Sequence, residues 1–105
     1  MNFGLSEEIL EMIKSVFSKY GDVTDVILYG SRATDNYREG SDIDMAVKGK
    51  NLTPNMISQI KRDLEELDTA YMHDVLHYDE LSETSLKEHI DKKGVSLFAR
   101  HPSGE

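Results

Sequence analysis

The chain has 105 residues, the length of one ordinary domain, so we expect a single domain over residues 1–100 and a disordered tail at 101–105. Hydrophobic residues make up 38% and charged residues 30%, which is typical of folded soluble proteins and excludes an intrinsically disordered chain. No apolar run approaches the ~20 residues that span a bilayer, and the absence of cysteine excludes disulfides and thiolate zinc sites.

The formal net charge of −8 argues against partners that carry a phosphate backbone. We therefore expect no DNA partner, and a basic protein would be attracted to this surface. The first ten residues contain two glutamates and no basic cluster, which argues against a signal peptide and favours a cytoplasmic protein without membrane attachment. A nucleoside triphosphate would have to arrive with a divalent metal, because the chain offers little positive field.

The first half of the chain predicts a helix and two strands. Ser6 is a capping residue for an amphipathic helix that runs to about Tyr20. Residues 23–29 end in a near-continuous apolar run, which indicates a strand buried on both faces. Residues 34–41 are polar and predict a loop, and residues 42–47 alternate strictly between polar or small and apolar side chains, as a second strand does.

The second half predicts helix, strand and helix. Thr53 followed by Pro54 is a helix start, and the apolar stripe beyond it ends near residue 68. Residues 71–78 predict a third strand, and a last helix opens at Ser82 or Thr84 and ends at Gly94. Residues 95–98 form a short apolar segment that we expect to pack on the core. The predicted fold class is α/β or α+β, a small sheet covered by helices.

Two carboxylates two residues apart suggest a site for a hard cation. Asp42 and Asp44 lie on one face of the predicted second strand, roughly 6–7 Å apart at Cα. Two like charges side by side cost free energy, and a cation between them removes that cost. Oxygen ligands without nearby histidine or cysteine suit magnesium or manganese rather than zinc.

A turn follows the first strand and predicts a phosphate contact. Gly30 permits close approach of the backbone to a ligand, and Ser31 offers a hydroxyl. The amides that follow would cradle a phosphate at a short helix start, and Arg32 would neutralise its charge.

A third carboxylate lies in a strand that is otherwise mostly apolar. Asp74 needs a reason to be there, and it reaches the same metals if its strand neighbours that of Asp42. Each feature alone has an ordinary explanation, because Asp-x-Asp and Gly-Ser pairs are common, Asp74 fits a solvated edge strand, and Arg32 fits a surface ion pair with Asp35 or Glu39. Only the combination and its spacing favour one site.

The combination also resembles a known family. Gly30-Ser31, ten intervening residues and then Asp42-Ile43-Asp44 are similar to the GS-x10-D-x-D signature of the DNA polymerase β-like nucleotidyltransferase superfamily. The strings LYGSRA and GSDIDMAV resemble its minimal members, the MNT domains, and MHDVLHYDEL resembles the segment that carries the family's third acid, at Asp74. The resemblance covers residues 5–98.

The resemblance implies a mixed sheet flanked by helices and a metal-dependent nucleotidyl transfer. Its nucleotide-binding residues would be Gly30, Ser31, Arg32 and Ser41, with Ser31 on the β- or γ-phosphate. Its catalytic and metal-binding residues would be Asp42, Asp44 and Asp74, which hold two magnesium ions, with manganese as the substitute. The substrate would be ATP, and the partner a HEPN toxin that receives AMP on a tyrosine and is thereby neutralised.

Two rival functions stay open at this point. One is a non-catalytic antitoxin that blocks a HEPN toxin by occlusion, and the other is a nucleotidyltransferase that acts on a small molecule such as an antibiotic. The clustered acids favour an enzyme, and the short chain favours an acceptor carried by another protein in a homo- or hetero-oligomer. His73 and His77 are four residues apart on a strand, roughly 13 Å, which is too far to share a metal. Tyr37 and Arg38 lie in the loop that faces the site, and a contact with nucleotide or partner stays open beside the default of a solvated loop.

Overall fold

The computed structural model describes residues 3–34, 38, 41–67, 69 and 71–100. The predicted tail at 101–105 and Tyr37 lie outside these residues. Within these residues the chain forms three helices, a short 3-10 helix and four strands. In chain order they are α1 (Glu7–Ser18), β1 (Asp25–Tyr29), β2 (Ile43–Lys48), α2 (Pro54–Glu65), β3 (His73–His77), the 3-10 helix Tyr78–Glu80, α3 (Thr84–Lys93) and β4 (Val95–Ala99).

The predicted helix starts are confirmed by capping contacts. The hydroxyl of Ser6 accepts a hydrogen bond from the Ile9 amide at 3.1 Å, and that of Thr53 accepts from the Met56 amide at 3.2 Å. Each bond satisfies one of the amides that a first helical turn leaves without a partner. The two caps therefore fix where α1 and α2 begin, as the sequence indicated.

The four strands form one mixed sheet in the order β3-β2-β1-β4. β1 runs antiparallel to both β2 and β4, whereas β2 and β3 are parallel. The predicted mixed sheet flanked by helices is thus confirmed. The apolar segment near residue 95 is more than a packing segment, because it extends the sheet as the edge strand β4 beside β1.

The helices cover both faces of the sheet and divide the core in two. α1 and α2 cover the face of the larger core cluster, and α3 covers the other face, where the buried residues are Tyr29, Ala46 and Ile90. The larger cluster includes Phe17, Val26, Leu28, Ile43, Met45, Val47, Ile60 and Leu64. The alternation predicted for β2 is therefore observed, with its apolar side on the α1–α2 face.

The helices α1 and α2 are tied together beyond the core by a polar contact. Tyr20, just past α1, donates its hydroxyl proton to Oδ2 of Asp63 on α2 at 2.5 Å. None of the helices in the described part of the chain is both long and apolar enough to cross a membrane.

Candidate active site

The sheet brings two of the predicted acids directly together. Asp44, the second residue of β2, is in register with Asp74 on β3 and with Tyr29 on β1. Residues in register on neighbouring strands lie roughly 5 Å apart and point to the same face. Asp42 comes one residue before β2 and is exposed. The predicted adjacency of the two strands is confirmed, and the carboxylates lie on the α3 face.

The electrostatics of Asp44 reflect this crowding. Burial raises the pKa of the Asp44 carboxyl above its ordinary value, and the negative charges of Asp74 and Asp42 raise it further. Ionisation of the half-buried Asp44 therefore costs free energy in the protein without metal. A cation beside it would be favoured by the same interactions.

Tyr29 lies in the core, as the apolar run of β1 predicts, and it also borders the candidate site because it is in register with Asp44. Its side chain is 8% exposed, and burial followed by the charges of Asp74 and Asp44 raises its pKa to about 12. Tyr29 therefore remains protonated, and its uncharged phenol lies beside the two acids. Its place immediately before Gly30 was the signal available in the sequence.

Gly30 has a steric role toward Asp44. Its φ is +81°, in the left-handed region that favours glycine. A Cβ at this position would lie 2.5 Å from Oδ2 of Asp44, closer than such atoms approach. The Asp44 carboxylate therefore fits into the space that a side chain at position 30 would fill, and the predicted approach of a ligand to Gly30 stays a prediction.

Ser31 begins a single turn after β1. The amides of Ala33 and Thr34 both donate to the Gly30 carbonyl at 3.2 Å, which closes the turn. The sequence predicted a short helix start here, and the structure has one turn instead. Those two amides are used by the turn, so the side chain of the half-buried Ser31 is the group best suited to reach a phosphate.

Arg32, which the sequence predicts to contact phosphate, has a buried side chain. Its side chain is 2% exposed, and its guanidinium donates to the Ser41 carbonyl from Nε at 3.2 Å and from Nη2 at 2.8 Å. Nη1 donates to the Phe3 carbonyl at 2.8 Å. This geometry favours a structural role for Arg32 beside the candidate site, and its contact with a nucleotide phosphate stays a prediction.

Ser41, also predicted to bind nucleotide, supports the same loop. Its carbonyl receives the two bonds from Arg32, and its hydroxyl accepts from the Arg38 amide at 2.8 Å. Arg38 itself is exposed. Ser41 therefore holds the chain where it enters the Asp42–Asp44 segment.

The acids fit a metal that completes its shell with other oxygens. Within the described residues, no group of three or more histidine, aspartate or glutamate side chains is gathered closely enough to hold a metal by itself. Magnesium typically takes only one or two carboxylates and fills its other positions with water and phosphate oxygens. The all-oxygen donors Asp42, Asp44 and Asp74 and the like-charge crowding at Asp44 match that ion.

The two histidines of β3 face away from the acids. His73 and His77 alternate with Asp74, and in the part of the chain that the structure describes their Nε2 atoms are buried without a hydrogen-bond partner. Burial lowers the pKa of His73. Neither histidine is a ligand candidate for the site.

Comparison with known proteins finds a matching family model. A family model described as "Polymerase beta, Nucleotidyltransferase" matches residues 11–103. Curated proteins gave no match.

Several solved structures share the fold at low identity. A toxin–antitoxin crystal structure with AMP-PNP has a TM-score of 0.69 at 20% identity, covering 91% of this chain and 75% of that one. A tri-AMPylated Shewanella oneidensis HEPN toxin in complex with MNT antitoxin gives 0.67 at 18% identity, with 91% and 74% covered. A Sulfolobus solfataricus protein assigned as a nucleotidyltransferase gives 0.52 at 21% identity, with 92% of each chain covered.

Proposed function

This chain belongs to the polymerase β-type nucleotidyltransferase family, and we propose that it transfers AMP from ATP to a hydroxyl group of a HEPN toxin, acting as its antitoxin. The observation that carries this proposal is the register of Asp44 with Asp74, with Asp42 two residues away and the Gly30-Ser31 turn at the same place. Three acids and a serine hydroxyl at one end of the strands are the side chains that a metal-dependent nucleotidyltransferase uses. Binding by occlusion alone would not require them.

The proposed roles follow from phosphoryl-transfer chemistry. Asp42 and Asp44 would hold two magnesium ions and Asp74 one of them, and these ions, when bound, supply charge neutralisation for the triphosphate. Ser31 donates its hydroxyl proton to an oxygen of the β- or γ-phosphate. Asp74 accepts the proton of the acceptor hydroxyl, whose oxygen attacks the α-phosphorus in line, and pyrophosphate leaves. Positioning and charge supply most of the rate gain.

The choice of acceptor rests on charge and on the structural relatives. A net charge of −8 suits a basic, RNA-binding partner. Two of the structural relatives are toxin–antitoxin complexes, one with AMP-PNP and one whose HEPN toxin is tri-AMPylated. We therefore propose a tyrosine of a HEPN toxin as the acceptor, a hetero-oligomer of the two chains, and a reaction in the cytoplasm.

Mass spectrometry of the partner tests the proposal directly. The chain is incubated with the product of the neighbouring gene as candidate partner, ATP and magnesium, and the intact mass of the partner is measured. We expect mass increments of whole AMP units that disappear with the double variant Asp42→Asn, Asp44→Asn. The matched control is Glu8→Gln, Glu11→Gln, which removes two charges from exposed positions on α1, on the opposite face of the sheet.

The alternative functions appear as distinct outcomes. A partner that stays unmodified but is inhibited would establish occlusion instead of transfer. A partner that is neither modified nor bound would overturn the antitoxin proposal and direct attention to small-molecule acceptors. Labelling that persists in the double aspartate variant would contradict the assigned site.

A further inference from the structure

The buried guanidinium of Arg32 contacts separate stretches of the chain that carry the site. Among the described residues, its guanidinium donates to the carbonyls of Ser41 and Phe3, and its Cζ lies 4.8 Å from the centre of the Tyr71 ring. Arg32 also follows Ser31 directly. One side chain therefore links four parts of the chain. These are the N-terminal segment at Phe3, the Gly30-Ser31 turn, Ser41 before β2 and Tyr71 before β3.

Two of these contacts lie close in sequence to residues that the proposed reaction needs. Ser41 immediately precedes Asp42. Tyr71 precedes β3, and the parallel pairing of β2 with β3 begins where the Ile43 amide donates to the Met72 carbonyl at 2.9 Å. A shift of the guanidinium would therefore displace Asp42 through the adjacent Ser41, and Asp74 through the segment that leads from Tyr71 into β3.

Arginine is suited to this position because of its rigid fork. Two donors of one planar group chelate the Ser41 carbonyl while a third points to Phe3. The cation also lies over the Tyr71 ring, within the range of a cation–π contact. A lysine ammonium has neither the plane nor the paired donors, so it replaces only part of these contacts.

We propose that Arg32 is a positioning residue of the nucleotidyl-transfer site, which fixes Ser31, Asp42 and Asp74 relative to one another without touching the nucleotide. This inference rests on the proposed function for its kinetic consequence, whereas its structural consequence stands independently. It assigns to Arg32 a role in turnover rather than in phosphate binding.

Kinetics of Arg32→Gln and Arg32→Lys test the role. A misplacement of about 1 Å costs on the order of 10²-fold in rate, so Arg32→Gln should lower kcat by about that factor with little change in the KM for ATP. Arg32→Lys should fall between this variant and the wild type. Arg62→Gln, which removes the same charge from an exposed position on α2, should match the wild type.

Two further measurements separate positioning from unfolding and from phosphate binding. Hydrogen exchange of the Ile43 amide should accelerate in Arg32→Gln well below its melting temperature, while amides in α1 keep their wild-type rates. Calorimetry with a non-hydrolysable ATP analogue and manganese should give affinities within about threefold of the wild type. All assays are run below the melting temperature of each variant.

The outcomes distinguish this inference from the proposed function. A rise in the KM for ATP and a loss of analogue binding, with kcat and exchange unchanged, would overturn positioning and make Arg32 a phosphate ligand. Wild-type kinetics and exchange in Arg32→Gln would also overturn it. If the wild-type chain modifies no partner, the proposed function fails, and faster exchange at Ile43 with preserved analogue binding would still support the positioning role.

Discussion

Asp44 and Asp74 are in register across the parallel strands β2 and β3, with the buried Tyr29 in register with Asp44 on its other side. This arrangement places two negative charges beside each other, and the partial burial of Asp44 limits how well water screens its charge. The free protein is therefore less stable than the same fold with that charge removed or neutralised.

Removing the Asp44 charge should stabilise the metal-free protein. We expect Asp44→Asn to raise the melting temperature by about 2–4 °C, the shift that about 0.5 kcal/mol produces in a domain of this size after allowance for solvent screening. Differential scanning calorimetry in EDTA measures it. Magnesium should stabilise the wild type more than the variant, and Glu11→Gln on α1 should give no such gain. A melting temperature that falls in Asp44→Asn would contradict the crowding argument.

The stabilisation should depend on pH in a defined direction. The folded state raises the pKa of Asp44, so it holds that proton more tightly than the unfolded chain. The Asp44 contribution to the free energy of unfolding therefore falls as pH rises from about 3.9 through the folded pKa. The advantage of Asp44→Asn, measured by urea unfolding, should be near zero below pH 3.9 and largest near neutrality. A constant difference across this window would rule out proton linkage at Asp44.

Gly30→Ala should damage the site more than the fold. The positive φ costs about 1–2 kcal/mol for an alanine, and the new Cβ would displace the Asp44 carboxylate. We expect a folded protein with a transfer rate lower by about 10²-fold. Gly21→Ala is the matched control, because nothing lies within 4 Å of a Cβ there and it should keep full activity. Full activity in Gly30→Ala would mean that Asp44 does not need its observed position.

The contact between Tyr20 and Asp63 should make stability sensitive to alkaline pH. The hydrogen bond to Asp63 is the main cause that raises the pKa of Tyr20 to about 12. Its stabilisation is complete below the unfolded pKa of about 10 and is lost as pH rises toward 12. Tyr20→Phe should cost about 1 kcal/mol at neutral pH and show a weaker decline between pH 10 and 12.

Denaturant unfolding at several pH values checks that expectation. Asp63→Asn keeps an acceptor for the Tyr20 hydroxyl but removes the charge, so it should weaken the alkaline decline while losing less stability than Tyr20→Phe. Equal alkaline declines in the wild type and both variants would assign the effect to other groups.

Much of the fold was predictable because its signals are local. The caps at Ser6 and Thr53, the alternation in β2 and the apolar run in β1 each fix an element from neighbouring residues alone. β4 was described only as a packing segment, since a five-residue strand at a sheet edge has no periodicity long enough to distinguish it.

The site was predictable in its members but not in all their roles. The spacing of Ser31, Asp42 and Asp44 could be read along the chain, and the adjacency of Asp74 followed once two strands were assumed to be neighbours. The burial of Arg32 could not be predicted, because it depends on Phe3 and on Tyr71, which are distant in sequence. A charged side chain next to a phosphate-turn motif gives no local sign of which way it points.

The parallel pairing of β2 with β3 also determines the order in which the site residues are synthesised. Parallel strands need a crossover, and here α2 provides it, so Asp74 leaves the ribosome only after Ser31, Asp42 and the whole of α2 have been made. Edge strand β3 must then dock before the acids meet. A nascent or truncated chain that ends before β3 would contain Ser31, Asp42 and Asp44 but lack Asp74. We therefore expect such a chain to be inactive until β3 has been synthesised.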